Sequence, residues 1–547
     1  MQQRGELRVW WRGIRGGTSV LLMAAAIAAC NGKISNNGGG GGGGGGGTTG
    51  GAVVYGPTGL HRLSRIEYDN TLADLLGDNT RPGFAALPED VNDPFDNDFS
   101  TQQVSGALIA AAETLAAGAS ARLIADTTKR SKLIGCTPAG AGDTACLESF
   151  VRAFGRRAFR RPLTDEEVAG YVGLSPFAVE ANDFYVGVDL VLRAFLQDPN
   201  FLYRVETGTA VPGKTGLYVL GDYEIGARLS YFLWGSTPSD GLLDMAAAGA
   251  LSTESGRRAA AAELLGDPRG IERVKQFHAF WLAYDQLPLA ADMATAMRAE
   301  TDALVERVLF ERHGDYFDLF NATETFVNDM LATHYGLPAP GSATGAWVPY
   351  GSSPRRGILS HGTLLAAGAK FDDTSPTLRG VFVRNRLLCQ TIAPPPPTVA
   401  VDQPPAATTS NCKVDRYAAH RSGGCAECHS KTDPIGFGLE NYDRTGAYRT
   451  ADKDNPQCTI SGDGEVAGLG TFNGPAELAE LIAGSGNLES CLVTQLYRMA
   501  LGRRESDGDA STLAKLTDGF KQNGRAFDKL LVEVIADPAF IHRQLEP

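Results

Sequence analysis

The chain has 547 residues, 43% hydrophobic and 21% charged, which is enough apolar material for two or more packed cores and excludes a globally disordered chain. Its 50 Lys and Arg against 63 Asp and Glu leave a formal charge of -13, which excludes the basic surface of a phosphate-tracking nucleic-acid binder.

Residues 1–29 carry Arg4, Arg8, Arg12 and Arg15 against the single Glu6, then an apolar run from Val20 to Ala29, the pattern of a signal peptide. The run is too short to span a bilayer as a helix. It ends in Ile27-Ala28-Ala29-Cys30, which resembles a bacterial lipobox. That resemblance implies cleavage before Cys30, acylation of its thiol and a membrane held through lipid. The alternative is an ordinary signal peptide followed by an incidental cysteine. Asn31, where an Asp would retain a lipoprotein at the inner membrane, points to the outer membrane, on its periplasmic or surface face. Residues 30–55, with ten consecutive glycines from Gly38 to Gly47, read as a flexible tether.

After the tether the apolar spacing turns helical, with Leu60, Leu63, Ile66, Leu72 and Leu75 running to a stop at Gly77. Further helices are predicted over 101–126, 146–160, 164–172 (with Thr164 and Glu167 as a capping box), 181–204, 221–234, 254–266 and 269–284. Later ones fall near 293–320, 376–389, 475–484, 487–502 and 526–541. Period-2 alternation is nearly absent, so the fold class is mostly α, with short strands expected near 215–220. Pro394 to Pro397, Pro404 and Pro405 form a stretch no helix crosses. The expected organisation is an N-terminal helical domain at 56–205, a central helical domain at 206–345, a helical segment with proline-rich linker at 346–410 and a smaller C-terminal module at 411–547.

Cys425-Ala426-Glu427-Cys428-His429 carries the strongest chemical signal and reads as c-type haem attachment. Two thiols one helical turn apart can add across the two vinyl groups of one porphyrin, while the next residue's imidazole reaches the iron. A redox Cys-x-x-Cys does not need His429, and a zinc site wants a second ligand pair at metal spacing, where only Cys412 is near. The expected cofactor is therefore haem c, bound by Cys425, Cys428 and His429 in a cytochrome-c-like C-terminal module, with a structural disulfide or a zinc site as the alternative. With Cys30 acylated, six cysteines remain: Cys136, Cys146, Cys389, Cys412, Cys458 and Cys491. In an oxidising compartment they fit three disulfides among fifteen possible connectivities. Proximity in sequence favours Cys136 with Cys146, Cys389 with Cys412, and Cys458 with Cys491.

A sixth iron ligand would make an electron carrier, and an open position would permit small-molecule chemistry. Met499 is the one methionine downstream of the motif, and it equally well fills core in an amphipathic helix. His420 is a weaker distal candidate, and the neighbourhood of Pro434 offers a backbone carbonyl to the proximal imidazole. The oxygen-rich Asp93, Asp96, Asn97 and Asp98 lack the calcium-loop pattern and read as a solvated turn. Arg156, Arg157, Arg160 and Arg161 read as a solvated or ion-paired helix face.

Around the haem motif, His420-Arg421, Asp433-Pro434-Ile435-Gly436-Phe437-Gly438-Leu439-Glu440-Asn441-Tyr442-Asp443 and Gly446-Ala447-Tyr448-Arg449 form one extended pattern. Arg62-Leu63-Ser64-Arg65, Phe159-Arg160-Arg161-Pro162, Leu229-Ser230-Tyr231-Phe232, Thr374-Ser375-Pro376 to Arg379-Gly380, and Ala500-Leu501-Gly502-Arg503 extend it. Together these segments resemble the planctomycete-type multidomain secreted cytochrome-c-like proteins, strings of consecutive domains of unknown function ending in a CxxCH haem motif. The resemblance implies export and haem, with no catalytic residues beyond the three haem positions, and an aromatic often stands where Met499 does. Three readings follow. The first is a lipid-anchored cytochrome-like electron carrier whose partner is a redox protein or a small-molecule electron donor or acceptor. The second is an oxidoreductase using an open haem or a site in the helical body, and the third a surface-binding protein with a non-catalytic haem.

Overall fold

In the computed structural model, residues 55–102, 104–370, 372–397, 399 and 410–545 are described. The leader, Cys30, the tether through residue 54, and Pro404 and Pro405 lie outside them. Within them the chain is mostly α, with short antiparallel strand pairs.

Local signals set most helix boundaries. Helix α1 (Arg65–Leu76) starts at Ser64, whose hydroxyl and Glu67 form a reciprocal capping box, and stops at Gly77 with φ of 65°. Thr164 and Glu167 cap Asp165–Val172 in the expected way. The predicted helix 181–204 is three pieces, Ser175–Ala181, Phe184–Gln197 and Pro199–Leu202, because Asn182 takes a left-handed conformation and Asp183 and Asp198 each cap a new start. The short strand Leu217–Val219 pairs with His542–Gln544 and ties the end of the chain to its middle. Helices without a predicted counterpart include Thr127–Ile134, Asp240–Ala247, Asp329–Tyr335, Ala426–Phe437 and Ala510–Gln522.

Among the described residues three apolar cores form. One is built from residues 63–203 with Tyr231. The largest joins helices of the middle of the chain to those after residue 474: Phe277 and Tyr316 pack against Phe527, and buried Arg257 donates to the carbonyls of Ile535 and Ala536. The third, small core holds Met297, Leu331, Tyr335 and Val348. Arg160, read from sequence as part of a solvated or paired face, is instead buried, donating to the carbonyls of Asn200, Phe201 and Tyr203. Arg156 and Arg161 are ion-paired with Asp244 and Glu167. Asp96, Asn97 and Asp98 are likewise buried rather than solvated, because Asn97 donates to the Met499 carbonyl and Asp98 caps the next turn.

Cys136 and Cys146 are bonded as expected, and the other two pairings are not those that sequence proximity favours: Cys389 joins Cys491 and Cys412 joins Cys458. Tertiary folding overrides sequence distance here. The segment ending at Cys389 packs on the helix that carries Cys491, with Trp281 Nε1 and Cys491 Sγ both at the Arg386 carbonyl. The loop after Tyr448 folds back so that Asp452 accepts from the Lys413 amide, beside Cys412. Replacing Cys412 and Cys458 together by Ser is expected to cost about 2–4 kcal/mol in urea unfolding, and peptide mapping without reductant is expected to recover both revised pairs.

Helix α2 (Ala291–Glu306) delivers Glu300 into the small core, where Thr325 Oγ1 donates to it at 2.6 Å and Tyr335 OH at 2.8 Å. Burial pushes the Glu300 carboxyl up to about 7. A folded pKa above the unfolded one means the native state holds the extra proton, so this group's contribution falls as pH rises from the ordinary carboxylate range through about 7. Glu300→Gln is therefore expected to gain stability relative to the parent as pH rises from 5 to 8, by up to about 1.4 kcal/mol per pH unit in paired thermal or urea melts. A gap independent of pH would refute the assignment.

Candidate functional site

Two helices make the frame of the site: α3 (Pro376–Phe382) and α4 (Ala426–Phe437). Their backbones touch. A Cβ at Gly380 would stand 1.9 Å from the Thr432 carbonyl oxygen, and one at Gly436 would stand 1.9 Å from that of Pro376. Only residues without a side chain permit this approach. Arg379, one residue from the crossing and 2% exposed, donates to the carbonyls of Leu439, Tyr442, Leu365 and Asp443, so it satisfies the polar backbone just past the end of α4. Buried Glu440 then takes Lys413 at 3.0 Å and Arg449 at 2.7 Å.

On this frame the Cys-x-x-Cys-His motif opens α4. Cys425 occupies the N-cap position, and from Arg421 to Ser430 only Ala426 and His429 are even half-buried. Of the eight described cysteines, six are in disulfides; Cys425 and Cys428 are free and exposed. His429 Nδ1 lies 3.0 and 3.1 Å from the two carboxylate oxygens of Asp433, one helical turn on. Asp433 also accepts from Thr377 Oγ1 of α3 at 2.7 Å and faces His420 Nδ1 at 3.0 Å. Burial alone would raise this carboxyl, but hydrogen bonds from His420, His429 and Thr377 hold it at about 2. An ionised carboxylate only accepts, so each imidazole presents Nδ1–H to it, which leaves Nε2 as the nitrogen that can offer a lone pair to a metal.

The structure thus brings Cys425, Cys428, His429 and His420 together and adds Asp433 and Thr377. His420 stacks beside His429 with ring centroids 3.8 Å apart, and Tyr417 backs it edge-on at 4.9 Å. Two imidazoles bracketing one iron need about 4 Å between their nitrogens alone, and their centroids lie farther apart still. His420 therefore lies on the same side as His429 rather than across from it. Met499 is 2% exposed in the largest core, on Asn487–Leu501. The Pro434 carbonyl, expected near the proximal imidazole, accepts instead from the Gly438 amide. Sequence reasoning missed Asp433: its spacing of four from His429 was the available signal, but Pro434 hides the helix that makes that spacing a contact.

The thiols and imidazole fit haem c: two unpaired Sγ atoms in one turn, an open surface around them, and a ligand ring already oriented from behind. The ligand atoms of His420, His429 and Asp433 also all lie within 4.8 Å of one another, a donor set that suits a divalent transition metal. Elsewhere, a cleft of about 1030 Å³ is lined by residues that include Arg65, Asp74, Trp234, Arg269 and Phe280. Asp96 also lines it, its carboxyl pushed up to about 7 by burial against the pull of Arg273.

Five families, each described as a protein of unknown function, match consecutive parts of the chain: DUF1587 at residues 61–125, DUF1595 at 146–206, DUF1592 at 220–337, DUF1588 at 355–452 and DUF1585 at 470–540. This succession is the planctomycete-type multidomain architecture. The motif and both crossing helices fall inside the DUF1588 match. No curated protein and no solved structure matches the chain.

Gly380→Ala is expected to destabilise the protein by about 1–3 kcal/mol, since the Thr432 carbonyl it would strike is backbone and cannot swing aside. Replacing the open Gly424, around which a Cβ meets nothing, is expected to change stability by less than about 0.5 kcal/mol. Urea unfolding of the two variants side by side checks the contrast.

Proposed function

We propose that this chain is an exported, lipid-anchored c-type cytochrome-like protein that carries one covalent haem c and passes single electrons at the cell envelope. The observation that carries this reading is the division of the eight described cysteines: six in disulfides and two left free on one exposed turn, beside an imidazole held through Nδ1. Cys425 and Cys428 Sγ would form the thioethers, and His429 Nε2 would ligate the iron. When bound, haem c supplies a one-electron iron couple. Around it the protein's own groups fix the imidazole tautomer, orient the ring and leave the surface from Arg421 to Ser430 open to a redox partner or a small electron donor or acceptor. Disulfides agree with an oxidising compartment, and acylation of Cys30 would set the outer-membrane location.

A second reading rests on the His420, His429 and Asp433 cluster, which would hold a single divalent metal in place of haem and make the protein a non-haem oxidoreductase. Expression with haem-maturation machinery, followed by the pyridine haemochrome assay and metal analysis, separates the two. One covalent haem per chain, abolished in a Cys425→Ser, Cys428→Ser double variant, is the expected result. A haem-free protein holding one metal ion that His420→Ala releases would sink the haem reading and favour the second.

A further inference from the structure

Resting on the haem reading, we propose that Asp433 is a positioning residue that sets the reduction potential: its carboxylate draws on the Nδ1 proton of His429 and so makes the imidazole a more electron-rich ligand. A carboxylate is a stronger acceptor than the backbone carbonyl the sequence pointed to, and an electron-rich nitrogen favours the more highly charged, oxidised iron. The direction is therefore a lowered potential.

The geometry makes this contact hard to avoid. Asp433 is 6% exposed, and both its oxygens lie within 3.1 Å of His429 Nδ1. It cannot drift, because its neighbour Thr432 is pressed by its carbonyl against Gly380 and Gly436 is pressed against Pro376. Three other donors share the carboxylate: Thr377 Oγ1 at 2.7 Å, His420 Nδ1 at 3.0 Å and, at the longer distance of 3.3 Å, Thr432 Oγ1. Each donor that shares an acceptor weakens its pull on the others, so Thr377 and His420 temper the effect of Asp433 on His429. Thr377 Oγ1 itself stands 3.5 Å from His429 Nδ1, too far for a strong bond to the ring.

Two substitutions therefore act in opposite directions. Asp433→Asn replaces the carboxylate by a weaker, neutral acceptor and is expected to move the midpoint potential positive. Thr377→Val removes a competing donor without changing any charge and is expected to move it negative. Glu427→Gln is the control, since it deletes an exposed carboxylate from the turn of α4 that carries the motif.

The experiment is spectroelectrochemical titration of the full-length, haem-loaded chain and the three variants at one pH and ionic strength, with ferric EPR g-values as a second readout of ligand character. A positive shift in Asp433→Asn that exceeds the control, together with a negative shift in Thr377→Val, supports the proposal. An Asp433→Asn midpoint no higher than that of Glu427→Gln overturns it, as does an unchanged or positive midpoint in Thr377→Val. Should Asp433→Asn fail to retain haem, the sign of the Thr377→Val shift decides by itself. A parent protein without covalent haem is a different failure, that of the haem reading.

Discussion

The arrangement at the motif depends on one constraint, the contact of two helix backbones at Gly380 and Gly436. Helices with ordinary side chains keep their axes some 8–10 Å apart, and the side chains between them can repack. Here nothing lies between. Thr432 and Pro376 carbonyls occupy the space where side chains would be, so helix α4 has one available position relative to α3. Thr377 and Asp433 can meet at 2.7 Å only because of that approach, and through Asp433 the crossing fixes the rings of His420 and His429.

So close a backbone contact has a polar consequence, because the chain leaves α4 inside the protein and the carbonyls of Leu439, Tyr442 and Asp443 just past its end need donors. Arg379 supplies them from the neighbouring helix, and its own charge is answered by Glu440, which also takes Lys413 and Arg449. A lone buried guanidinium would be strongly unfavourable, and the shared carboxylate offsets that cost. The Cys412–Cys458 bond closes the same region from the other side, next to Lys413. Rigid backing and an open front thus come from one construction: the interior of the segment is saturated with contacts, while Cys425 and Cys428 remain at the surface.

How much of this could be read in the sequence follows from the range of each interaction. The capping box at Thr164 is local and was legible, as were the amphipathic helices and the nearby pair Cys136 and Cys146, whereas the equally local box at Ser64 went unread. The motif was legible as a donor set, since three residue types at fixed offsets carry it. Its support was not: Asp433 lies one turn away along a helix that Pro434 conceals, Thr377 lies 52 residues from His429 in sequence, and Gly380 and Gly436 show their meaning only as a pair. Likewise Arg160 reads as one more arginine on a surface until Asn200, Phe201 and Tyr203 turn their carbonyls toward it. Disulfide partners failed for the same reason, because loop closure over 102 residues is decided by packing rather than by nearness in the chain.

The large helical body is coupled to the motif through a short, stiff path. Phe280 lines the cleft, its carbonyl and that of Trp281 accept from Arg386, and Trp281 Nε1 donates back to the Arg386 carbonyl at 2.7 Å. Arg386 sits in the π-helical turn Val383–Leu387 that continues α3, and four residues before that turn's start Arg379 anchors the end of α4. Arg384 of the same turn donates to the Lys431 carbonyl within α4, and Cys389 just beyond it is bonded to Cys491. One continuous helical stretch therefore contacts the cleft wall at one end and the motif helix at the other, with a disulfide holding it to the C-terminal helices. Rotating the motif helix against the body would require breaking buried backbone contacts, arginine–carbonyl bonds and a covalent link at once. The cleft wall and the motif helix are thus packed against one and the same helical stretch, so they belong to a single interior rather than to separately folded parts.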